Sequence, residues 1–481
     1  MRILTLDCGT SRIKAGIFDI TGGQAGKEPQ HSAIKAPVRL WVEKTDEGPA
    51  TEETLAGRDR SHLDVDLYLT RIYQLLRRVT EDTAKEGNKI DALCPSVCCP
   101  ALVALDHEMR PLYPALTHLH RASQPQSKEL AARIGKARWL ATAGNLPVPG
   151  GISISAMHWL AACRPHVVAD AAHWVHLHSV ILYSLTGNLV TDPTQAAYTG
   201  LYDVPHAGGW LDREWLEMLG VRREQLPEIL PSASIAGRLT PQAAAQSGLK
   251  QGLPVITGGA DVPLGLLAAE ELLPECALNL SGTTEIFAAS CHGCPQPGEN
   301  FLLRPHVVDS RWVAVKVSSV GGQTIFWFYD RFCREMSPNR FWDWVLRLDE
   351  KVERILDEQE IGVEVEGIPE FIPYIFGNRH SLEPQKGGFI NITAETTRED
   401  MLCAVLAAYR IKLREASQEI AAAVSRPLYR TVTSGGFDIS SLGFHRRAAL
   451  KRSTLTPIEA AIIRGAAVLA ARTLEKEYPQ S

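Results

Sequence analysis

Two short stretches of glycine and small hydroxyl residues have the makings of phosphate-binding turns. The first is Asp7-Cys8-Gly9-Thr10-Ser11 with Lys14, and the second is Ser281-Gly282-Thr283-Thr284. Each is flanked by apolar runs. Ile3, Leu4 and Leu6 precede the first, and Ile13, Ala15, Ile17 and Phe18 follow it. Residues 277–280 and 285–290 flank the second in the same way. A hairpin of this kind exposes backbone N–H groups and hydroxyl donors, and its glycine lets the chain approach an anion. Asp7 could hold a Mg²⁺ ion through water. Either turn alone reads equally well as an ordinary polar hairpin. Two copies, about 270 residues apart, point to a nucleotide polyphosphate shared between two facing hairpins.

Gly258-Gly259-Ala260-Asp261 closes an apolar run. A carboxylate past the end of a buried strand suits a general base that takes a proton from a hydroxyl. The same residue could instead cap the helix that follows. Ser434-Gly435-Gly436-Phe437 could let a flat ring lie against the backbone, or be a plain turn. Cys291-His292-Gly293-Cys294 has metal-ligand residue types but lacks the second pair of a structural zinc site. His118 and His120, beside Arg121, are unsupported as metal ligands and read as polar groups near a pocket.

These residues need elements to hold them. Residues 2–20 and 277–290 read as β-hairpins, and apolar spacing predicts a helix within 65–90. Helical patterns fill 125–235, broken at 145–151. Thr397 and Asp400 have capping-box spacing ahead of a helix. Thr456 as N-cap, Pro457 at the first helical position and Glu459 predict another. Ala460, Gly465 and Ala466 would let that helix pack closely. The repeated hairpin logic predicts two similar α/β halves, residues 1–250 and 251–481.

The chain has 481 residues, with 50 Lys+Arg against 55 Asp+Glu and a net charge of −5. That balance gives no basic footprint for nucleic acid. Asp261 and Arg464 interrupt the most apolar stretches, well short of the ~18 residues a membrane span needs. Asp7 comes too early for a secretory apolar region. The sequence therefore predicts a cytoplasmic protein whose ten cysteines are reduced thiols.

In order along the chain, these motifs resemble the FGGY family of carbohydrate kinases, of the actin-like ATPase superfamily. The resemblance runs through residues 6–19, 185–203, 248–265, 278–284, 373–389, 433–437 and 459–471. It implies an α/β fold of two ribonuclease-H-like domains around a central cleft. The N-terminal domain would carry the sugar site and the C-terminal domain would bind ATP. Asp261 would be the catalytic base of an ATP-dependent sugar kinase. Asp7, Gly9, Thr10, Ser11 and Lys14 would serve the first phosphate hairpin, with Asp7 assisting Mg²⁺. Gly282, Thr283 and Thr284 would form the second hairpin, while Gly435 and Gly436 would border the adenine. Gly321 and Gly322 match a glycine pair near the nucleotide. A homodimer is a common assembly among such proteins.

On the sugar side the sequence departs from that family. Cys98-Cys99-Pro100-Ala101 stands where many members have a Gln-Met-His-Gly type of stretch. Thr117-His118-Leu119-His120-Arg121 replaces Trp-x-Asp-x-Arg, and Gly377-Asn378-Arg379 replaces Gly-Glu-Arg. Changing hydrogen-bonding groups changes which sugar hydroxyls can be satisfied. The substrate reading is a ketose, deoxy-ketose or polyol, contacted by Cys99, His118, His120, Arg121 and Asp261. The alternatives are a catalytically impaired sugar or nucleotide sensor on the same fold and an actin-like ATPase acting on a protein.

Overall fold

The structure, a computed structural model, describes residues 1–20, 37–44, 61–84, 89–282, 284–358, 368–378, 380–435 and 453–478. Thr283, Arg379, Gly436 and Phe437 lie outside the described residues.

The opening hairpin forms as its apolar alternation demands. Arg2–Cys8 pairs antiparallel with Arg12–Asp19, with Asp7 opposite Lys14. Arg2–Cys8 also runs parallel to Ala92–Val97, with Asp7 beside Ser96 and Cys8 beside Val97. Pro254–Ile256, Ile235–Arg238 and Arg39–Lys44 extend the sheet, and Gly259–Ala260 joins it alongside Ser96 and Val97. Successive side chains of a strand point to opposite faces. Leu4, Leu6 and Cys8 therefore meet Ile72, Leu75 and Leu76 of the helix Val65–Ala84. Ile3 packs on the other face with Leu264, Ile463 and Ala467. Helices on both faces explain why this strand is apolar throughout.

A second, four-stranded sheet contains Ala101–Leu105, Ala115–Thr117 and His173–His176. Ala101 lies opposite Thr117, and Leu102 opposite His176. This register brings the segments around Cys99, His118 and His176 to one end of the sheet.

Chain contacts divide the molecule into two discontinuous units. One contains Met1–Leu272, Cys291–Val313 and Ala460–Ser481, and the other Leu273–Ser290 and Ala314–Glu459. The boundary expected at residue 250 falls inside the first unit. In the second unit, Ala277–Ser281 pairs antiparallel with Glu285–His292 and parallel with Arg430–Ser434. A core containing Phe328, Phe341, Val345, Leu402 and Val405 packs that unit.

The capping box at Thr397 is present: its hydroxyl accepts from the Asp400 N–H at the start of Arg398–Ala423. The box expected at Thr456 is not. Thr454–Pro457 is a strand paired with Arg430–Thr433, and its helix starts later, at Ala461. Strand pairing outweighs the local capping preference there. The helix Ala461–Glu477 still uses its small residues. A Cβ at Gly465 would stand 1.7 Å from the Leu264 carbonyl oxygen, so only glycine permits this approach to Asp261–Leu272.

Candidate active site

Three parallel strands end together in the first unit, and carboxylates stand at that edge. Cys8, Val97 and Ala260 share one register row. Asp261 follows Ala260 directly and opens the helix Asp261–Leu272, where its Oδ1 accepts from the Val262 N–H at 2.9 Å. The glycines before it are required by space. At Gly258, with φ +71°, a Cβ would meet the Pro95 carbonyl oxygen at 2.0 Å, and at Gly259 a Cβ would meet Thr194 Oγ1 at 2.9 Å. Thr194 Oγ1 also accepts from the Ala260 N–H at 2.8 Å, and donates to Asp192 at 2.7 Å. Buried Asp192 accepts further bonds from Ser232 Oγ and the Thr194 and Gln195 amides. Asp192 and Thr194 thus brace the backbone that carries Asp261.

Asp7 is buried, and its Oδ2 accepts from Lys14 Nζ at 3.1 Å. The adjoining turn is closed by Gly9 N–H donating to the Arg12 carbonyl and by Tyr68 Oη donating to the Gly9 carbonyl. Thr10 and Ser11 stand half-buried at its tip. Cys98 feels both acids. Burial pushes its thiol far up, and the charges of Asp261 and Asp7 push it further.

The expected substrate residues gather in part around the turn at 149–153. Arg121 donates to the Pro149 carbonyl. A Cβ at Gly150 would meet the His118 carbonyl oxygen at 2.2 Å. Cys99 Sγ contacts His176 Nδ1 at 3.5 Å, while Ser153 Oγ bonds His176 Nε2 at 2.8 Å. Burial, aided by the nearby His178, lowers His176 to about 3, so its ring is neutral at pH 7. His120 takes a different setting. It packs edge-on to Trp159 at 4.7 Å and to His62 at 5.8 Å.

Arg304 joins this group from the strand Leu302–Pro305, and no sequence motif marked it. Its side chain is fully buried. Nη1 donates to the Leu303 carbonyl and Nη2 to the Gly151 carbonyl, while the guanidinium lies 3.9 Å from the Tyr198 ring centre.

In the second unit, Gly282 N–H donates to the Thr284 carbonyl and Gly322 N–H to the Gly282 carbonyl, each at 3.1 Å. A Cβ at Gly282 would have open space around it. Gly321 is the N-cap of Gly322–Phe332 and offers no side-chain bond to the helix amides. Gly435, with φ +129°, lies so close that a Cβ there would meet the Ser281 carbonyl oxygen at 1.9 Å. Gly282, Thr284, Gly321, Gly322 and Gly435 therefore come together around one hairpin. Behind it, buried Glu285 accepts from Asn279, Ser281 and Tyr409 at 2.7–2.9 Å. An acidic residue inside an apolar strand was the available signal for Glu285. Among the described residues, no cluster of three or more His, Cys, Asp or Glu forms a metal site.

Residues 50–268 match the N-terminal domain of the FGGY family of carbohydrate kinases. The chain is 28% identical over 346 residues to an autoinducer-2 kinase of Yersinia enterocolitica serotype O:8 / biotype 1B (strain NCTC 13174 / 8081). The match covers 69% of this chain and 60% of that protein, so the chain spans well under the full length of this curated relative. Solved structures match it nearly end to end. A ligand-bound xylulose kinase from Lactobacillus acidophilus superposes with TM-score 0.80 at 18% identity, covering 99% of this chain and 90% of that one. A gluconate kinase from Lactobacillus acidophilus gives TM-score 0.80 at 19% identity, covering 99% and 89%. At such identities the likeness establishes the fold, the α/β architecture of two actin-like ATPase domains. Among the described residues, no helix is long and apolar enough to cross a membrane.

Proposed function

We propose that this chain is an ATP-dependent kinase of the FGGY family that phosphorylates a hydroxyl of a small sugar, a ketose, deoxy-ketose or polyol. The observation that carries this reading is Asp261, held just past the shared end of three parallel strands. Open α/β sheets bind ligands at that edge. Asp261 would take the proton of the attacking hydroxyl, because phosphoryl transfer depends mainly on positioning and charge stabilisation.

The second-unit hairpin fits ATP. Gly282 is open, the helix after Gly321 has no side-chain cap, and Gly435 leaves no room for a side chain. Helix N-termini and exposed hairpin amides favour phosphate. We assign Gly282, Thr283, Thr284, Gly321, Gly322, Gly435 and Gly436 to the nucleotide. Gly9, Thr10, Ser11 and Lys14 are assigned to its phosphates. Asp7 supplies a single carboxylate, which suits a Mg²⁺ held chiefly by phosphate oxygens and water. That ion would neutralise charge developing on the phosphates. Cys99, His118, His120 and Arg121 are assigned to the sugar, with Asp261. Homodimer assembly and a cytoplasmic location rest on the sequence reading alone.

A coupled ADP-release assay over ketoses, deoxy-ketoses and polyols tests the proposal. Sugar-dependent ADP release is expected. Binding of ATP with no stimulation by any sugar would instead favour the sensor reading.

A further inference from the structure

Glu285 poses a chemical question. A buried carboxyl group is costly unless its oxygens are hydrogen-bonded. Glu285 is 1% exposed, and among the described residues no cation pairs with it. Three neutral donors hold it instead. Asn279 Nδ2 donates to Oε1 at 2.7 Å, while Ser281 Oγ and Tyr409 Oη donate to Oε2 at 2.8 and 2.9 Å. Buried in this way, the group has no surface to offer a substrate. Its effect must pass through the residues that it holds.

Its place in the hairpin identifies that effect. Ser281 and Glu285 form the last cross-strand pair before the turn at 282–284. Side chains two apart on a strand share a face, so Asn279 and Ser281 reach Glu285 from the same side. Tyr409 comes from the helix Arg398–Ala423. The carboxylate therefore ties both strands of the hairpin to that helix. Asn279 Nδ2 adds a second link across the hairpin, to the Ile286 carbonyl at 3.1 Å. Two further site residues lean on the same backbone. A Cβ at Gly435 would stand 1.9 Å from the Ser281 carbonyl oxygen and 3.0 Å from the Ser281 nitrogen. Gly322 N–H donates to the Gly282 carbonyl at 3.1 Å. A shift at the Ser281–Glu285 pair would move the groups that both glycines touch. The bond directions matter as well. The Ser281 hydroxyl hydrogen points at Glu285, so this hydroxyl does not donate to a phosphate. An anion at the turn is left to the groups of 282–284.

We propose that Glu285 is a positioning residue that sets the mouth of the second phosphate hairpin in its ATP-binding shape before the nucleotide arrives. This rests on the reading of that hairpin as the nucleotide site. A site shaped in advance loses less freedom when its ligand binds, and so binds it more tightly. Side chains joined in one hydrogen-bond network act together rather than additively.

Fluorescent MANT-ATP with Mg²⁺, titrated into the full chain well below its melting temperature, tests the proposal. Glu285→Gln keeps the side-chain size and turns one acceptor oxygen into a donor NH₂ group. It should weaken binding about tenfold, the scale expected when hydrogen bonds to a carboxylate are disrupted. Tyr409→Phe removes one donor and should weaken binding about threefold. The double variant should match Glu285→Gln alone, and fully additive losses would overturn the proposal. A purely structural role would lower the melting temperature and leave ATP affinity at the wild-type value in both single variants, which would also overturn it. Should Glu285→Gln fail to fold, Tyr409→Phe decides by the same criterion. Absence of ATP binding by the wild type would refute the nucleotide reading. Amide hydrogen exchange at Gly282, measured without nucleotide, then decides this proposal. Faster exchange in Tyr409→Phe supports it, and exchange equal to wild type overturns it.

Discussion

At the residue scale, the proposed chemistry rests on Asp261 and on the segment that carries it. Asp261 is aimed by the two glycines before it and by the Thr194 bond to the Ala260 amide. Thr194→Val removes that bond and leaves the amide unsatisfied. We expect a loss of about 1–3 kcal/mol in stability, read as a lower urea midpoint. The sugar side is tested at Cys99, whose thiol meets the neutral His176 ring. Cys99→Ala should raise KM for the sugar a few-fold, in keeping with the ~1 kcal/mol net value of one hydrogen bond. KM for ATP should stay constant. Equal changes in both would remove Cys99 from the sugar site. Asp261, Asp7 and the hydroxyl turns were legible because their residue types sit at strand ends with apolar runs on either side. Arg304 was not. Within its own segment it reads as an ordinary strand cation. Only the fold brings it to Tyr198 and Gly151.

At the element scale, the helix that begins with Asp261 is set against Ala461–Glu477 by the glycine at 465. Gly465→Ala must push the two backbones apart. A cost of about 1–3 kcal/mol is expected for such overpacking, seen as a lower denaturation midpoint. Sugar-dependent turnover should fall with it, because the same helix holds Asp261. Full stability in Gly465→Ala would show that the helices do not approach this closely. The small residues of this helix were readable from sequence, but its start was not. Thr456 and Pro457 have the residue types of a helix start, yet they pair with Val432 and Thr433 across the sheet. A contact between segments more than 20 residues apart carries no local signature.

At the scale of the whole molecule, the repeated hairpins announced two α/β halves, and each compact unit does carry one. Their discontinuity was hidden. Residues 291–313 and 460–481 return to the first unit through tertiary contacts such as those of Ile463 with Ile3 and Leu264. Stability should also depend on acidity across this molecule. His176 and His306 are each lowered to about 3, chiefly by burial. Unfolding frees them to bind protons at about 6.5. Their contribution is complete above that value and declines as pH falls from it toward 3. Lowering the pH from 7 to 5 should cost about 2 kcal/mol per histidine. Urea unfolding at the two values measures this loss, and His306→Gln should reduce the difference. An identical pH dependence in that variant would show that His306 is not buried as a neutral ring.

The central claim is that Asp261 takes the proton of the attacking sugar hydroxyl. Sugar-dependent ADP release by Asp261→Asn, measured beside ATP binding by the same protein, tests it most directly. The account predicts a rate lower by roughly 10²–10⁴-fold with ATP binding intact. Wild-type turnover in Asp261→Asn would contradict it.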